Sequence, residues 1–329
     1  MKIRVLGGGF YGCHIAKILL QDGYDVEVHE IKEDIFCGAS GKIPARLHEG
    51  FHYPRSKRTR DACQQHLPEF MAHYSAYTRE VDLNLYAIAE GSSMVDYPQY
   101  VDTLRGEVLF TEADPEPYGL IHVEGALATY ERHIHIPSIK AHFKKLLGDC
   151  IKYDRPAGNV NSEEYDLTID ATFCANEARG IDRYEPCIVG LLEGPADIAV
   201  TIMDGPFGSL YPWDPKEGLS SLSSAKWSPF SKSCRTWNEA KAILDSLTMR
   251  DMDAQLRGMF NDLAYYYPAL EGYTPCGAML SIRAMPLSGA DSRLIDVIRV
   301  GTRSLRVRAG KIDAICHATD IIKRMMEDL

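Results

Sequence analysis

A glycine-rich turn constrains the fold of this chain more than any other feature of its sequence. Residues 2–6 have the apolar pattern of a short buried strand, and the turn follows at Gly7, Gly9 and Gly12. In a G-x-G-x-x-G turn the first glycine permits a sharp change of direction, and the second lets a pyrophosphate approach the backbone. The third lets the following helix pack closely on the strand. The spacing therefore predicts a dinucleotide-binding turn.

The residues after the turn extend this pattern into a complete βαβ unit. A helix is predicted from Phe10 to about residue 22, with a stop at Gly23. The backbone N–H groups of Phe10 and Tyr11 then lie at the positive end of the helix dipole, where phosphates bind. A second strand, residues 24–30, ends at Glu30, whose carboxylate can accept hydrogen bonds from both ribose hydroxyls. This order of elements predicts a Rossmann-type nucleotide-binding lobe.

Composition narrows the class of protein. The formal net charge of −10 argues against a nucleic-acid-binding surface, and no apolar run approaches the ~18–20 residues that span a bilayer. The nucleotide-binding unit starts at residue 2, which leaves no room for a signal peptide before it. The nine cysteines are scattered without a C-x-x-C pair, as is typical of reduced thiols. We therefore expect a cytoplasmic protein that acts on a small molecule, with no nucleic-acid or membrane partner.

The rest of the chain predicts a return to the nucleotide-binding lobe. Residues 165–172 have the apolar character of a strand buried in a parallel sheet. Near the C-terminus, strands at 294–300 and 304–308 precede a glycine and a helix at 313–326, so strand, glycine and helix recur. Between these parts we expect a helix at 56–78 with a possible break at Pro68, strands within 94–135 and one long helical segment at 237–264. A glycine-, serine- and proline-rich stretch, 214–229, is expected to form a pocket wall or lid.

These features together resemble the FAD-dependent oxidoreductases of the D-amino acid oxidase type, most specifically over residues 1–55. The resemblance implies a two-lobed α/β fold, with a Rossmann-type FAD-binding lobe and a mixed or antiparallel β-sheet substrate lobe. It assigns residues 1–80, 137–185 and 285–329 to the FAD lobe, and 81–136 and 186–284 to the substrate lobe. The implied activity is oxidation of a CH–NH or CH–OH group of a small polar substrate, such as an amino acid, amine, hydroxy acid or sugar derivative, by hydride transfer to flavin N5.

The resemblance also assigns cofactor contacts. Glu30 would bind the adenosine ribose, and Ser40 and Gly41 would form a second phosphate-binding turn. A helix N-terminus or a cation near the flavin C2 carbonyl stabilises the charge of reduced flavin, and either backbone amides or the Lys311 ammonium would supply it. The remaining implied contacts are Arg46, Leu47 and His48 beside the ring, Thr172 at the adenosine end, and Gly310, Lys311 and Ile312 at the C2 carbonyl.

One motif suggests a different chemistry. Residues 48–52 match H-E-x-x-H, the zinc-protease signature, which requires both histidines on one face of a helix. Gly50 inside the motif, with Pro44 and Pro54 on either side, disfavours a helix. We therefore predict no metal site and interpret the match as coincidence.

Three residues are the main candidates for catalysis, and a fourth is a weaker one. His48 and Tyr53 lie in the segment expected at the flavin face, and an imidazole with an ordinary pKa near ~6.5 suits proton acceptance as hydride leaves. His52 is a weaker candidate of the same kind. Arg283 matches an arginine that clamps a substrate carboxylate in the resembled family, and the alternative is an ion pair between lobes.

Three other functions remain open. An NAD(P)-dependent dehydrogenase would share the opening turn, but it would not explain the second phosphate turn at 38–41. A flavin-dependent sugar-modifying enzyme without net oxidation would need a diphosphate-binding arginine pair. A catalytically silent flavin-binding protein would share the fold alone.

Overall fold

The computed structural model describes residues 1–176, 181–286, 294–308 and 310–327. Seventeen strands and seven α-helices lie within these ranges. The strands, in chain order, are β1 (Lys2–Leu6), β2 (Asp25–His29), β3 (Arg46–Leu47), β4 (Thr78–Glu80), β5 (Leu83–Ala89), β6 (Phe110–Ala113), β7 (Val123–Thr129), β8 (Arg132–Ile134), β9 (Ile151–Lys152), β10 (Leu167–Asp170), β11 (Ile181–Glu193), β12 (Ile198–Met203), β13 (Gly208–Asp214), β14 (Leu219–Ser224), β15 (Thr274–Pro286), β16 (Asp296–Gly301) and β17 (Ser304–Arg308).

The helices pack on these strands. They are α1 (Phe10–Gln21), α2 (Lys57–Tyr74), α3 (Tyr97–Leu104), α4 (Ile136–Leu147), α5 (Trp237–Ser246), α6 (Met249–Ala264) and α7 (Ile315–Glu327). Within the described ranges, no helix combines the length and apolar character needed to cross a bilayer.

A six-stranded sheet carries the N-terminal glycine turn. Its strand order is β16-β17-β10-β1-β2-β9. β1 is parallel to both β2 and β10, and β17 is parallel to β10, so the carboxyl ends of these strands meet at one edge. The core beneath this sheet includes Phe10 of α1, Phe70 of α2 and Phe143 of α4. The prediction of a Rossmann-type parallel sheet is confirmed.

An eight-stranded mixed sheet forms the second layer. Its order is β15-β11-β14-β13-β12-β5-β7-β6, and β12 and β5 are the parallel pair within a largely antiparallel arrangement. Met259 and Leu263 of α6 pack on strand residues of this sheet. Tyr100 of α3 packs with Tyr86 of β5 in a second apolar cluster. A mixed sheet was predicted for the substrate lobe, while the residue boundaries of the two lobes remain a prediction.

The third sheet is small and has the strand order β3-β8-β4. β3 follows the second turn predicted to bind phosphate, and Arg46 pairs with His133 of β8 in antiparallel register. β8 pairs in turn with β4. This pairing fixes the backbone at Arg46 and Leu47, immediately before the H-E-x-x-H residues.

Three local expectations differ from the structure, and a fourth remains untested. α2 continues through Pro68, because Phe70 and Tyr74 after it are buried in the core and hold the last turn in place. The stretch 94–135 contains α3, which begins at an Asp96 cap that accepts a hydrogen bond from the Gln99 N–H. The segment 237–264 is two helices, because Thr248 starts α6 with a capping box. The stretch 214–229, expected to form a pocket wall or lid, contains β14, which is paired in the sheet, and its place at a pocket remains a prediction.

Candidate active site

The glycine turn, the end of β2 and the second turn lie together. The Gly7 N–H donates to the His29 carbonyl at 2.8 Å, and Gly7 has a φ of +96°, which favours glycine. The Phe10 N–H donates to Ser40 Oγ at 2.9 Å, so the α1 N-terminus contacts the turn at Ala39–Gly41. A Cβ added at Gly9 would lie 3.1 Å from Ser40 Oγ. The two predicted phosphate-binding turns are therefore adjacent.

The remaining residues of this region have distinct structural positions. A Cβ at Gly12 would collide with the Gly7 carbonyl, and one at Gly41 would collide with the Phe36 carbonyl, so both turns require glycine. Glu30 lies beside the turn, where Oε2 accepts the Gly8 N–H at 2.7 Å and Oε1 accepts the Lys32 N–H at 2.9 Å.

The strand β10 ends in a polar cluster. The Thr172 N–H and hydroxyl donate to Asp170 Oδ1 at 3.0 and 2.6 Å. The other carboxylate oxygen of Asp170 accepts from Arg306 Nε at 2.9 Å in a buried ion pair. Thr172 thus lies at the carboxyl edge of the parallel sheet, where nucleotides bind in such folds.

The C-terminal segment meets the N-terminal helix and the loop that follows β3. The Tyr11 hydroxyl donates to the Lys311 carbonyl at 2.5 Å. The Lys311 ammonium lies 3.9 Å from the centre of the Tyr53 ring and donates to Cys63 Sγ at 2.9 Å. Burial opposes its charge, but Tyr53, Cys63 and Asp313 outweigh that effect and raise the pKa of Lys311. A partly buried cation therefore lies in the segment that the resemblance assigns to the flavin C2 carbonyl.

Asp313, which sequence reasoning did not select, is a buried carboxylate next to this cation. Its side chain is 1% exposed, and within the described ranges neither oxygen accepts a hydrogen bond. Burial raises its pKa to about 6, against the opposing effect of Lys311. A buried acceptor without a donor is costly, so a bound group with hydroxyl or N–H donors fits this position. Ile312 packs against the core beside it.

These features fit an extended FAD molecule. The paired glycine turns offer close backbone approach at a helix N-terminus, Glu30 stands at the end of β2, and Lys311 and Asp313 supply a cation and a free acceptor. When bound, FAD supplies the two-electron acceptor, and the protein supplies orientation and charge.

Arg46 lies at the junction of the small sheet with the eight-stranded sheet. Its side chain is buried, and its Nη1 donates to the Tyr86 hydroxyl at 2.7 Å and to Thr201 Oγ1 at 2.9 Å. Its Nη2 donates to Ser209 Oγ at 2.9 Å. The guanidinium carbon lies 4.0 Å from the centre of the Tyr211 ring. The structure thus gives Arg46 three hydroxyl partners on β5, β12 and β13, and its predicted contact with FAD remains a prediction. Leu47 faces the opposite way, into the core.

His48, His52 and Tyr53 form a cluster of rings after β3. The ring centres of His48 and His52 are 4.7 Å apart, and those of His48 and Tyr53 are 5.9 Å apart. His52 Nδ1 lies 2.7 Å from the Tyr86 hydroxyl. Burial and the charges of Arg46 and His48 lower the pKa of His52 well below its usual range, so His52 is neutral at neutral pH.

Glu131, a second residue that the sequence did not reveal, joins this cluster. It precedes β8 and is fully buried. One carboxylate oxygen accepts the Glu49 N–H at 2.7 Å and lies 3.7 Å from His48 Nδ1. The other oxygen accepts from the Tyr86 hydroxyl. No local pattern marks it, because β8, which it precedes, has one apolar residue in three.

The H-E-x-x-H residues do not form a helix, as the proline and glycine pattern predicted. A loop nevertheless brings both histidines to Glu131, and ligand atoms of the three residues lie within 4.8 Å of one another. Two imidazoles and a carboxylate are a donor set that divalent metals accept. The prediction of no metal site therefore remains a prediction, and this geometry makes metal content worth measuring.

Arg283 forms an ion pair in the eight-stranded sheet. It pairs directly with Glu185 across β15 and β11, and its Nη2 donates to Glu185 Oε2 at 2.8 Å. Arg183 Nε donates to the same carboxylate at 2.9 Å. The two residues lie on neighbouring strands of the eight-stranded sheet. The predicted boundaries place Glu185 in the FAD lobe and Arg283 in the substrate lobe, so the alternative of an ion pair between lobes remains a prediction. A role for Arg283 in clamping a substrate carboxylate remains a prediction.

Replacing Arg46 should destabilise the protein, because the compact lysine ammonium lacks the planar fork by which two guanidinium nitrogens reach hydroxyls on three strands. We expect Arg46→Lys to lower the free energy of unfolding by about 2–3 kcal/mol, as buried hydrogen bonds are lost. Arg79→Lys is the control, since Arg79 forms a partly exposed ion pair with Asp197 and should lose under ~1 kcal/mol. Urea denaturation measures both, and equal losses would contradict this account.

Glu49 should make stability depend on pH. Burial and the Glu131 charge raise its pKa from 4.5 to about 7, so the folded state holds a proton that the unfolded state has already released. Stability should therefore fall as pH rises from about 4.5 to 7, and Glu49→Gln should remove that part of the decline. Urea denaturation at pH 5, 6 and 7.5 tests this, with Glu90→Gln at an exposed site as control. Parallel curves for wild type and Glu49→Gln would contradict it.

Comparison with known proteins gives the family. No family model matches the chain. The FAD-dependent monooxygenase FPY4 of Fusarium mangiferae is 32% identical over 342 residues, covering 99% of this chain and 91% of that protein. The FAD-dependent monooxygenase kojA of Aspergillus flavus is 34% identical over 135 residues, which cover 40% of this chain and 31% of kojA.

Solved structures show the same fold at low identity. Glycine oxidase from Geobacillus kaustophilus has a TM-score of 0.69 at 13% identity, covering 95% of this chain and 90% of the other. NikD, an amino acid oxidase essential for nikkomycin biosynthesis, also has a TM-score of 0.69 at 13% identity, covering 96% and 92%. These confirm the two-lobed fold. The chain belongs to the same family as FPY4 and is an FAD-dependent oxidoreductase with the fold of glycine oxidase and NikD.

Proposed function

We propose that this enzyme oxidises a CH–NH or CH–OH group of a small polar substrate by hydride transfer to flavin N5, with His48 as the proton acceptor. The observation that carries the proposal is the position of His48. It lies one residue after β3, 5.9 Å from the Tyr53 ring that contacts Lys311, and 3.7 Å from the buried Glu131 carboxylate. An imidazole between a carboxylate and the predicted ring position is suited to accept a proton.

Lys311 would stabilise the reduced flavin. A fixed positive charge near N1 and the C2 carbonyl favours the reduced, more negative flavin. The contacts of Lys311 with Tyr53 and Cys63 hold its ammonium in a partly buried place, where a charge acts more strongly than in bulk water. Between the alternatives left open by the sequence, this geometry favours the ammonium.

A second candidate is monooxygenation, which the names of the relatives FPY4 and kojA favour. The two reactions differ in the fate of dioxygen, since a monooxygenase places one oxygen atom in its product. Turnover under ¹⁸O₂ with mass analysis of the product separates them. The NAD(P)-dependent alternative is not supported, because FAD is the cofactor of the relatives.

A panel experiment tests the proposal. The purified holoenzyme is mixed anaerobically with amines, amino acids, hydroxy acids and sugar derivatives, each in a separate experiment. The visible absorbance of the oxidised flavin is followed, because it is lost when the flavin is reduced. Bleaching by one class identifies the substrate type. Absence of bleaching by every class would contradict the proposal and favour a catalytically silent protein.

Loss of the proton acceptor should slow flavin reduction without releasing FAD. We expect His48→Gln to lower the rate of anaerobic reduction by about 10²–10⁴-fold, the usual contribution of general base catalysis. His142→Gln, at a surface position on α4, should keep the wild-type rate. A His48→Gln enzyme that reduces FAD at the wild-type rate would exclude His48 as the base.

Loss of the partly buried cation should lower the flavin midpoint potential. Without the Lys311 charge the reduced flavin loses stabilisation. Lys311→Met should therefore lower the two-electron midpoint potential by at least roughly 30 mV, equivalent to ~1.4 kcal/mol. Lys323→Met, which removes a charge from the same helical region at a partly exposed site, should leave it unchanged. Spectroelectrochemical titration measures both shifts. An unchanged or higher potential in Lys311→Met would place the ammonium away from the ring.

A further inference from the structure

The helices α2 and α7 pack against each other. The rings of His66 on α2 and His317 on α7 stack with their centres 4.9 Å apart. Phe70 of α2 and Cys316 of α7 both belong to the core beneath the six-stranded sheet. Because α7 directly follows the segment 310–314, the contact between the two helices determines where that segment lies.

Three residues with metal-binding side chains lie together at this contact. Glu69 and His73 are four residues apart on α2, so their side chains share one face of the helix. Cys316, in the first turn of α7, completes the α2–α7 cluster. A carboxylate oxygen, an imidazole nitrogen and the thiol sulfur of these residues all lie within 4.8 Å of one another. The cluster contains none of the residues assigned to catalysis or to FAD.

The ligand atoms of the α2–α7 cluster are not engaged elsewhere. Within the described ranges, no ion pair or hydrogen bond joins Glu69, His73 or Cys316 to another side chain. Cys316 is 3% exposed, and burial together with the charges of Glu69 and Asp320 raises the pKa of its thiol to about 12. Asp320 lies one turn after Cys316 on α7, so it adds a second carboxylate beside the thiol. A divalent cation would offset the repulsion between these groups.

Lys17 of α1 is a cation that the chain itself places near the cluster. It is 7% exposed, and its ammonium lies 4.8 Å from the centre of the Tyr74 ring. Burial and the Lys17 charge lower the pKa of His73, so its imidazole is neutral at neutral pH and can bind a metal. No ion pair joins Lys17 to a carboxylate within the part of the chain that the structure describes. Lys17 therefore acts on the cluster from a distance and would compete with a bound cation.

The donor set and its spacing suit Zn²⁺. Zinc binds thiolate, imidazole and carboxylate ligands at about 2.0–2.3 Å in a tetrahedron, which places neighbouring ligand atoms roughly 3.3–3.6 Å apart. Glu69 is exposed, so rotation of its side chain can bring an oxygen to this spacing. Mg²⁺ and Ca²⁺ prefer sites built from oxygen alone, which the thiol of Cys316 disfavours.

We propose that Glu69, His73 and Cys316 bind one Zn²⁺ ion that joins α2 to α7, with water at the fourth position. The ion displaces the thiol proton, which passes to solvent, and no electron is transferred. Zinc would thereby hold the start of α7 against α2. The site is independent of the proposed function and departs from the prediction of no metal site. No local motif marks it, because Cys316 is distant from the other two ligands in sequence.

Zinc content and the zinc ligand shell test the proposal. The purified holoenzyme, kept reduced, is equilibrated with an equimolar amount of zinc, desalted, and analysed for metal and by zinc X-ray absorption spectroscopy. We expect about one zinc per chain, with one sulfur ligand at about 2.3 Å. The sulfur is decisive, because the other donor set, His48, His52 and Glu131, contains none. Loss of zinc on desalting, or a shell without sulfur, would overturn the proposal.

Variants of the ligands locate the ion. Cys316→Ser should lose the sulfur and the zinc, whereas Cys276→Ser, at an exposed position on β15, should keep both. Zinc retained with its sulfur in Cys316→Ser would overturn the proposal. If Cys316→Ser fails to fold with FAD, His73→Gln replaces it. We expect His73→Gln to raise the zinc dissociation constant at least about tenfold in competition with a chromophoric chelator.

Lys17→Met distinguishes metal binding from a general loss of helix packing. It removes the competing charge, so the zinc dissociation constant should fall by about 3–10-fold. Lys241→Met, on α5 beside the other large sheet, should leave the constant unchanged. A purely structural effect would weaken zinc binding in both His73→Gln and Lys17→Met, and that result would contradict the assignment.

Discussion

The guanidinium of Arg46 determines much of what surrounds the candidate site. It is a buried cation whose N–H groups are directed to hydroxyls on three strands of the eight-stranded sheet, and Tyr211 covers its face. Because β3 also pairs with β8, the backbone that follows Arg46 is held from two sides. His48 and His52 therefore project from a fixed position into the junction between the sheets.

Buried charges are concentrated at this junction. Arg46 is a buried cation and Lys311 a partly buried one, and Glu131 and Asp313 supply two buried carboxyl groups. Groups of this kind are expensive to bury and cluster at functional sites, where a bound molecule completes their interactions. Lys311 contacts both Tyr53 and Cys63, and 248 residues separate Lys311 from Cys63 in the chain. Distant segments therefore meet where the flavin ring is expected.

Local features could be predicted from the sequence and long-range ones could not. The turn at Gly7 and Gly12 depends on backbone geometry within a few residues, so its pattern was sufficient. The coupling of Glu131 to His48 and Tyr86 depends on sheet pairing between distant segments, which no local pattern encodes. Arg283 shows the same limit, because the register of β11 and β15 places Glu185 directly opposite it. The prediction that the H-E-x-x-H residues form no helix is confirmed, but the carboxylate of Glu131, distant in sequence, lies close to both histidines.

A crystal structure of the holoenzyme as purified tests the central claim most directly. This account predicts FAD extended across the β1–α1 turn, with its ring between the two large sheets and within contact distance of His48 and Lys311. FAD bound elsewhere, or a ring remote from both the loop at 45–54 and the segment at 310–313, would contradict it.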